Sequence, residues 1–373
     1  MFAGLCLSDP YADDRRDFGG SVRTLSAARF AGRYRLVDFT LSNMVNSKIF
    51  KIGIVLNSHY QSLINHIGMG KEWDLARKLG GVTFFPPYLT DERKTVNKEL
   101  DGPLSRAVEF IAEAKADYVV LTDSSIVYNM DYRIAIDSHM SSGADITAIY
   151  ANKQIIPEEQ QGAVIFEINE DNNVTAIAEA SNVTGNQKVS LGAYIMHKKY
   201  FLQLAAREKN CGMLRFSTVL LANMLGRLKV NAFEFTGYSA QICSLGTYFH
   251  YNMEMLDMEK RSALFDYGGR RIFTSSREDS PPTKYGKKAE VTNSIIAEGC
   301  RIEGTVKNSI IFRNVVVNED AVVENCILHD EVVIEKNAEL NWVIADKDVI
   351  ISENRSIIGS STYPMYIEVE KIV

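Results

Sequence analysis

The stretch Asn308-Ser309-Ile310-Ile311-Phe312-Arg313-Asn314-Val315-Val316-Val317-Asn318-Glu319-Asp320-Ala321-Val322-Val323 decides how the C-terminal part of the chain folds. Ile311, Val317 and Val323 recur at intervals of six. A second line, Leu328, Ile334 and Leu340, and a third, Ala345, Ile351 and Ile357, keep the interval, each displaced by one residue from the last. An α-helix turns once per 3.6 residues and cannot hold a six-residue period on one face. A coil of three short parallel strands per turn can, because every sixth side chain then faces the same interior edge. Asn293, Asn308, Asn314, Asn325, Asn337, Gly299 and Gly304 fall between the lines, and such residues accept the backbone of tight corners. An antiparallel domain of short strands competes with this reading, and the length of the six-residue pattern favours the coil.

Upstream, residues 274–282 are polar and end in Pro281-Pro282, the composition of a linker. Before it, apolar runs alternate with helical patterns. Residues 52–56, 118–122 and 146–150 read as buried strands, and Leu104, Ala107, Val108, Ile111 and Ala114 recur at helical spacing. Residues 134–140 read as a further helix, and Ser217 and Thr247 as helix starts. Residues 163–168 and 174–178, joined by Asp171-Asn172-Asn173, read as a hairpin. Strands alternating with helices imply an open, mostly parallel sheet covered on both faces.

The 373 residues suffice for two domains, and a net charge of −6 gives no electrostatic reason to expect nucleic acid. Cys6, Cys211, Cys243, Cys300 and Cys326 are odd in number and scattered, as packed thiols of a cytoplasmic protein would be. The apolar N-terminus lacks a basic flank and reads as a first strand, not a signal peptide. The six histidines show no metal-ligand spacing, and Trp73 reads as a packing anchor.

The run Phe30-Ala31-Gly32-Arg33-Tyr34-Arg35-Leu36-Val37-Asp38-Phe39-Thr40-Leu41-Ser42-Asn43-Met44-Val45-Asn46-Ser47 resembles F-G-G-K-Y-R-[LI]-[IV]-D-x-x-L-S-N-x-x-N-S of the ADP-glucose pyrophosphorylases. Residues 62–67, Trp73-Asp74-Leu75 and Leu245-Gly246-Thr247-Tyr248 resemble later landmarks of that family. The resemblance covers nearly the whole chain. It implies a Rossmann-like nucleotidyltransferase domain over 1–270, a linker over 271–289 and a left-handed parallel β-helix over 290–373. It also implies the family chemistry, ADP-glucose from ATP and glucose 1-phosphate.

The departures matter more. Nucleotidyl transfer concentrates negative charge, which calls for a backbone nest, cations and a carboxylate-held metal. The family's glycine-rich loop is replaced by Ser8-Asp9-Pro10-Tyr11-Ala12-Asp13-Asp14, with Phe18-Gly19-Gly20-Ser21 as a weak substitute. The family's two active-site lysines align with Leu25 and Ala180, and its two metal-binding aspartates with Ser125 and Ser244. Its G-T-A-D helix start has become Gly102-Pro103-Leu104-Ser105. The chain is therefore expected to lack a catalytic set and to need no cofactor, with Mg²⁺ only in a catalytic partner. The resemblance then points to the GlgD-type regulatory subunits, which assemble with a catalytic subunit, here expected as a hetero-oligomer of tetrameric form.

Arg23, Arg29, Arg33 and Arg35 cluster in an otherwise acidic chain, and guanidinium forks suit phosphate oxygens. In the family, activators such as fructose 1,6-bisphosphate bind near this stretch, so these four arginines are the candidate site for a phosphorylated-metabolite effector. Arg355 and Lys371 would complete the cluster if the C-terminus folds back. Interface ion pairs are the bland alternative for the arginines. Two other functions compete: a nucleotidyltransferase with its metal relocated to Asp123, and a β-helix acyltransferase using His329.

Overall fold

A computed structural model describes residues 1–8, 23–56, 59–78, 80–87, 103–160, 162–207, 221–222, 225–275 and 280–373. The acidic run after Ser8, Phe18-Gly19-Gly20-Ser21, Gly102, Cys211 and the helix start expected at Ser217 lie outside the described residues.

The N-terminal half is organised by β1 (Phe2–Leu7), which pairs in parallel with β2 (Lys51–Val55) on one side and β4 (Tyr118–Asp123) on the other. β3 (Gly81–Phe85) extends the parallel edge. On the other flank β5 (Ile146–Gln154), β6 (Val164–Ile168), β7 (Val174–Glu179) and β8 (Asn186–His197) follow, and β9 (Val230–Glu234) closes a nine-stranded sheet. β8 runs antiparallel to β4, β5 and β6, so the sheet is mixed.

The central strands β1, β2 and β4 are buried on both faces, which is why they read as apolar runs rather than alternating patterns. Ala3, Leu5 and Leu7 face a layer containing Ala107 and Ile111 of α3 (Pro103–Glu113) and Phe201 of α5 (Lys198–Arg207). Cys6, Ile52 and Val120 face Val37, Leu41 and Met44 of α1 (Leu36–Asn46), Leu63 and Ile67 of α2 (Gln61–Ile67), and Ala135 and Ile136 of α4 (Tyr132–Ser142). Among the described residues no helix is long and apolar enough to cross a membrane.

The C-terminal part is a left-handed parallel β-helix of three five-stranded parallel sheets. In one sheet Ile302 pairs with Val317, Val317 with Ile334 and Ile334 with Ile351. Ile311, Val317, Val323, Leu328, Ile334, Leu340, Ala345, Ile351 and Ile357 are all buried in one core. The corners are left-handed at Asn293, Asn308, Asn314, Asn325, Asn337 and Asn354. Glu331 and Trp342 hold the same conformation against their preference, imposed by the coil. The first coil strand is Lys284–Tyr285, ahead of the position expected from periodicity, because its side chains are exposed and leave no apolar trace. The helix expected to start at Thr247 begins three residues earlier: Ser244 caps α6 (Leu245–Glu254), accepting from the Thr247 amide at 3.1 Å.

The two parts share a core. Phe30, Phe39, Tyr248 and Phe249 pack with Ile310, Phe312, Ile327 and Ile344. Gly32 is a point of close approach: its φ is +75°, and a Cβ there would stand 2.8 Å from Ile295 Cγ2.

Candidate functional site: an arginine cleft between the two parts

The polar residues of α1 and its flanks are structural ties. Asp38 accepts from the Arg35 amide at 2.9 Å and meets His66 Nε2 at 2.6 Å. Asn43 donates to the Tyr128 carbonyl at 2.9 Å and accepts from the Met130 amide at 3.0 Å. Ser42 accepts from the Phe273 amide at 2.8 Å and Asn46 donates to the Arg271 carbonyl at 3.0 Å. The segment leading to the β-helix is thereby sewn to α1, which aims the stretch before α1 at the coil.

Arg23, Arg29, Arg33 and Arg35 line one cleft of about 510 Å³ between that stretch and the coil corners. Arg23 Nη2 pairs with Asp346 Oδ1 at 2.8 Å and Arg29 Nη1 with Asp330 Oδ2 at 2.5 Å. Arg29 also lies over the Phe312 ring, 5.9 Å from its centroid. Arg35 Nη1 donates to the Ser62 carbonyl at 3.0 Å and to its hydroxyl at 2.9 Å. Burial and the neighbouring Arg29 and Arg23 push the Arg35 pKa down to about 10, so the group stays charged at neutral pH in a crowded positive field. Arg33 is exposed and also borders an adjoining cleft with Arg271.

The coil contributes cations that sequence reasoning missed. Arg313 and Lys347 line the cleft, and Arg355 and Lys371, expected there, do not. Arg355 belongs to a different corner, bonded to Glu339, and Lys371 pairs with Glu368 at 3.6 Å. The missing signal was the coil length: Arg313 and Asp330 lie 17 residues apart, and Lys347 follows at the same interval. Among the described residues, Arg29 Nε and Arg313 Nη2 are buried without a hydrogen-bond partner. Buried donors left unpaired cost about 1–3 kcal/mol each, so such a cleft favours an added acceptor.

Beneath the cleft, His329 joins the two parts. A carboxylate only accepts, so His329 Nδ1 donates to Asp346 Oδ1 (2.9 Å), and Nε2 accepts from Tyr248 at 2.9 Å. Burial lowers the His329 pKa against the opposing pull of Asp346, keeping the ring neutral. Burial raises the Asp346 carboxyl, but His329, Arg23 and Tyr366 outweigh it and hold it well below the usual carboxylate range. These partners give His329 a structural place.

The four positions that the sequence resemblance sets against the family's catalytic groups lie elsewhere, in packed or capped surroundings. Leu25 sits in a short 3-10 turn, buried in the core shared with the β-helix. Ala180 packs with Ile155, Ala163 and Val189. Ser125 is buried, and its hydroxyl finds no partner among the described residues. Ser244 is occupied as the α6 cap. Asp123, at the end of β4, accepts from the Ser125 amide at 2.7 Å. Gly192, at φ +59° in the β8 bulge, lets the chain pass it, since a Cβ would lie 2.7 Å from Asp123 Cβ. A divalent ion needs several charged or carbonyl oxygens, and among the described residues at this end of β4 Asp123 stands beside the hydroxyls of Ser124 and Ser125. Among the described residues no three His, Cys, Asp or Glu side chains are grouped to hold a metal.

A mixed sheet with helices on both faces, followed by a parallel β-helix, defines a nucleotidyltransferase domain joined to a hexapeptide-repeat domain. Residues 25–260 match the family model described as nucleotidyl transferase, and residues 281–362 the one described as GlmU-like, C-terminal hexapeptide. The chain is 34% identical over 304 residues to a glucose-1-phosphate adenylyltransferase of Pseudothermotoga lettingae, covering 80% of this chain and 70% of that protein. A Geobacillus stearothermophilus protein of the same name is 30% identical, covering 82% and 80%. Glycogen biosynthesis protein GlgD of Bacillus subtilis is 32% identical, covering 80% and 75%. The chain belongs to the glucose-1-phosphate adenylyltransferase family.

Proposed function

We propose that this chain is a GlgD-type regulatory subunit of ADP-glucose pyrophosphorylase in glycogen biosynthesis. It assembles with a catalytic subunit as a hetero-oligomer, as a tetramer, and alters that subunit's rate or effector response. One observation carries the reading: Leu25 and Ala180, which the sequence resemblance sets against the family's lysines, are packed into apolar cores, and Ser125 and Ser244, which it sets against the metal carboxylates, are a buried hydroxyl and a helix cap. Removing one electrostatic stabiliser of a transition state costs about 3–4 kcal/mol, and losing several leaves little catalysis. A lysine cannot simply be restored at Leu25, because its charge would enter the core that joins the two parts. The relative named GlgD agrees with this reading. The cleft of Arg23, Arg29, Arg33 and Arg35 suits a phosphorylated metabolite as effector. Mg²⁺ and ATP belong to the catalytic partner.

The test is Mg²⁺-dependent pyrophosphate release from ATP and glucose 1-phosphate by this chain, by a catalytic subunit from the same source, and by the mixture. Silence of this chain and an altered rate in the mixture are expected. Ordinary turnover by the chain alone, abolished by Asp123→Ala, would instead establish a relocated active site.

A further inference from the structure

The arginine cleft brings its own anions. On successive coils Arg313, Asp330 and Lys347 form one corner ladder, and their backbones are linked through the next residues: the Glu331 amide donates to the Arg313 carbonyl and the Asp348 amide to the Asp330 carbonyl. The ladder aims the Asp330 carboxylate. Its Oδ1 accepts from the Arg313 amide at 3.3 Å, leaving Oδ2 to meet Arg29.

Two carboxylates thus hold Arg23 and Arg29, but on unequal terms. Asp346 has a side chain 3% exposed and accepts from Arg23, His329, the Lys347 amide and Tyr366. Asp330 is 17% exposed, borders the cleft and has one long amide bond besides Arg29. Displacing Asp346 would orphan several buried donors at once, whereas displacing Asp330 frees one guanidinium and moves one carboxylate toward water. Arg29 is not saturated by Asp330, since its Nε has no partner.

We propose that Asp330 is a resident counter-anion of the cleft, and that a phosphorylated ligand binds by displacing it from Arg29. This rests on the effector reading above. A phosphate group carries nearly two charges and three acceptor oxygens, so it can take both edges of the Arg29 fork where a carboxylate holds one. Displacement opens the Arg29–Asp330 clasp and leaves Arg23–Asp346 closed. Ligand binding is therefore linked to how tightly the β-helix grips the transferase domain at this corner. The site discriminates by charge: a monoanion gains too little to dislodge Asp330.

The experiment is calorimetric titration of the full chain with fructose 1,6-bisphosphate as probe, for the unaltered chain and for Asp330→Asn, Asp330→Ser and Arg35→Met. Both Asp330 variants are expected to bind about ten-fold tighter, because the ligand no longer competes with a resident charge. The serine variant keeps an oxygen near the Arg313 amide and serves if the asparagine variant folds poorly. Arg35→Met is expected to weaken binding by ten-fold or more. If the unaltered chain binds, Arg35→Met weakens binding and the Asp330 variants bind no tighter, the cleft stands as the effector site and the counter-anion proposal is overturned. If neither the unaltered chain nor the Asp330 variants bind the probe, the effector reading and the proposal fall together.

Discussion

Replacing Asp346 with alanine should strongly destabilise the boundary between the two parts. The carboxylate is nearly inaccessible and sits between Arg23 at 2.8 Å, His329 at 2.9 Å and Tyr366 at 2.5 Å. Arg23 is itself 16% exposed, so its charge would be left without a counter-ion in a poorly hydrated place. Removing one partner of a buried ion pair costs about 3–5 kcal/mol, mostly as the penalty on the charge that remains. That is a large fraction of the roughly 5–15 kcal/mol that stabilises a typical domain. Urea denaturation followed by fluorescence reads it out. The two tryptophans serve as separate reporters: Trp73 is buried in the transferase half, and Trp342 packs against Phe249 of α6 across the boundary. Loss should appear first in the Trp342 signal, and the double variant with Arg23→Ala should cost about 1–3 kcal/mol less than the sum of the single changes. A loss below about 1 kcal/mol, or strict additivity, would refute the argument that this ion pair joins the two parts.

Other outcomes follow from the same geometry. The folded-state pKa of His329 is lowered by burial, so the unfolded chain, with a histidine pKa of about 6.5, binds more protons than the folded one below that pH. Its contribution is full above about pH 6.5 and declines as pH falls below it; His329→Gln should flatten the thermal-stability profile there. An unchanged slope would mean that the ring titrates freely. Gly32→Ala should destabilise by at least about 1–2 kcal/mol, from left-handed backbone strain, with Ile295 forced to move as well. Calorimetric unfolding checks it, and a neutral result would remove the close-approach explanation.

Much of the β-helix was legible because its period is short and every line of the period is core. Ile311, Val317 and Val323 need no knowledge of the rest of the molecule to be read as one face. The middle of the sheet was legible for a similar reason: β1, β2 and β4, buried on both sides, are mostly apolar. The cleft was half legible. Its arginines are close in sequence, whereas Arg313 and Lys347 reach it only through the coil, and Arg355 lies on a neighbouring corner. Telling these apart requires knowing which corner faces the transferase domain, and that is set by the tertiary contact at Gly32 and Phe312. Ser244 and Thr247 illustrate a local ambiguity: both hydroxyls take part in one capping arrangement, so either reads as the helix start.

The most direct test of the central claim is the effector dose-response of pyrophosphate release by a catalytic subunit mixed with this chain or with its Arg35→Met variant. A regulatory subunit acting through its arginine cleft should shift the response relative to the catalytic subunit alone, and the variant should lose that shift while still co-eluting with the partner. Identical curves for both mixtures and for the catalytic subunit alone would contradict the account.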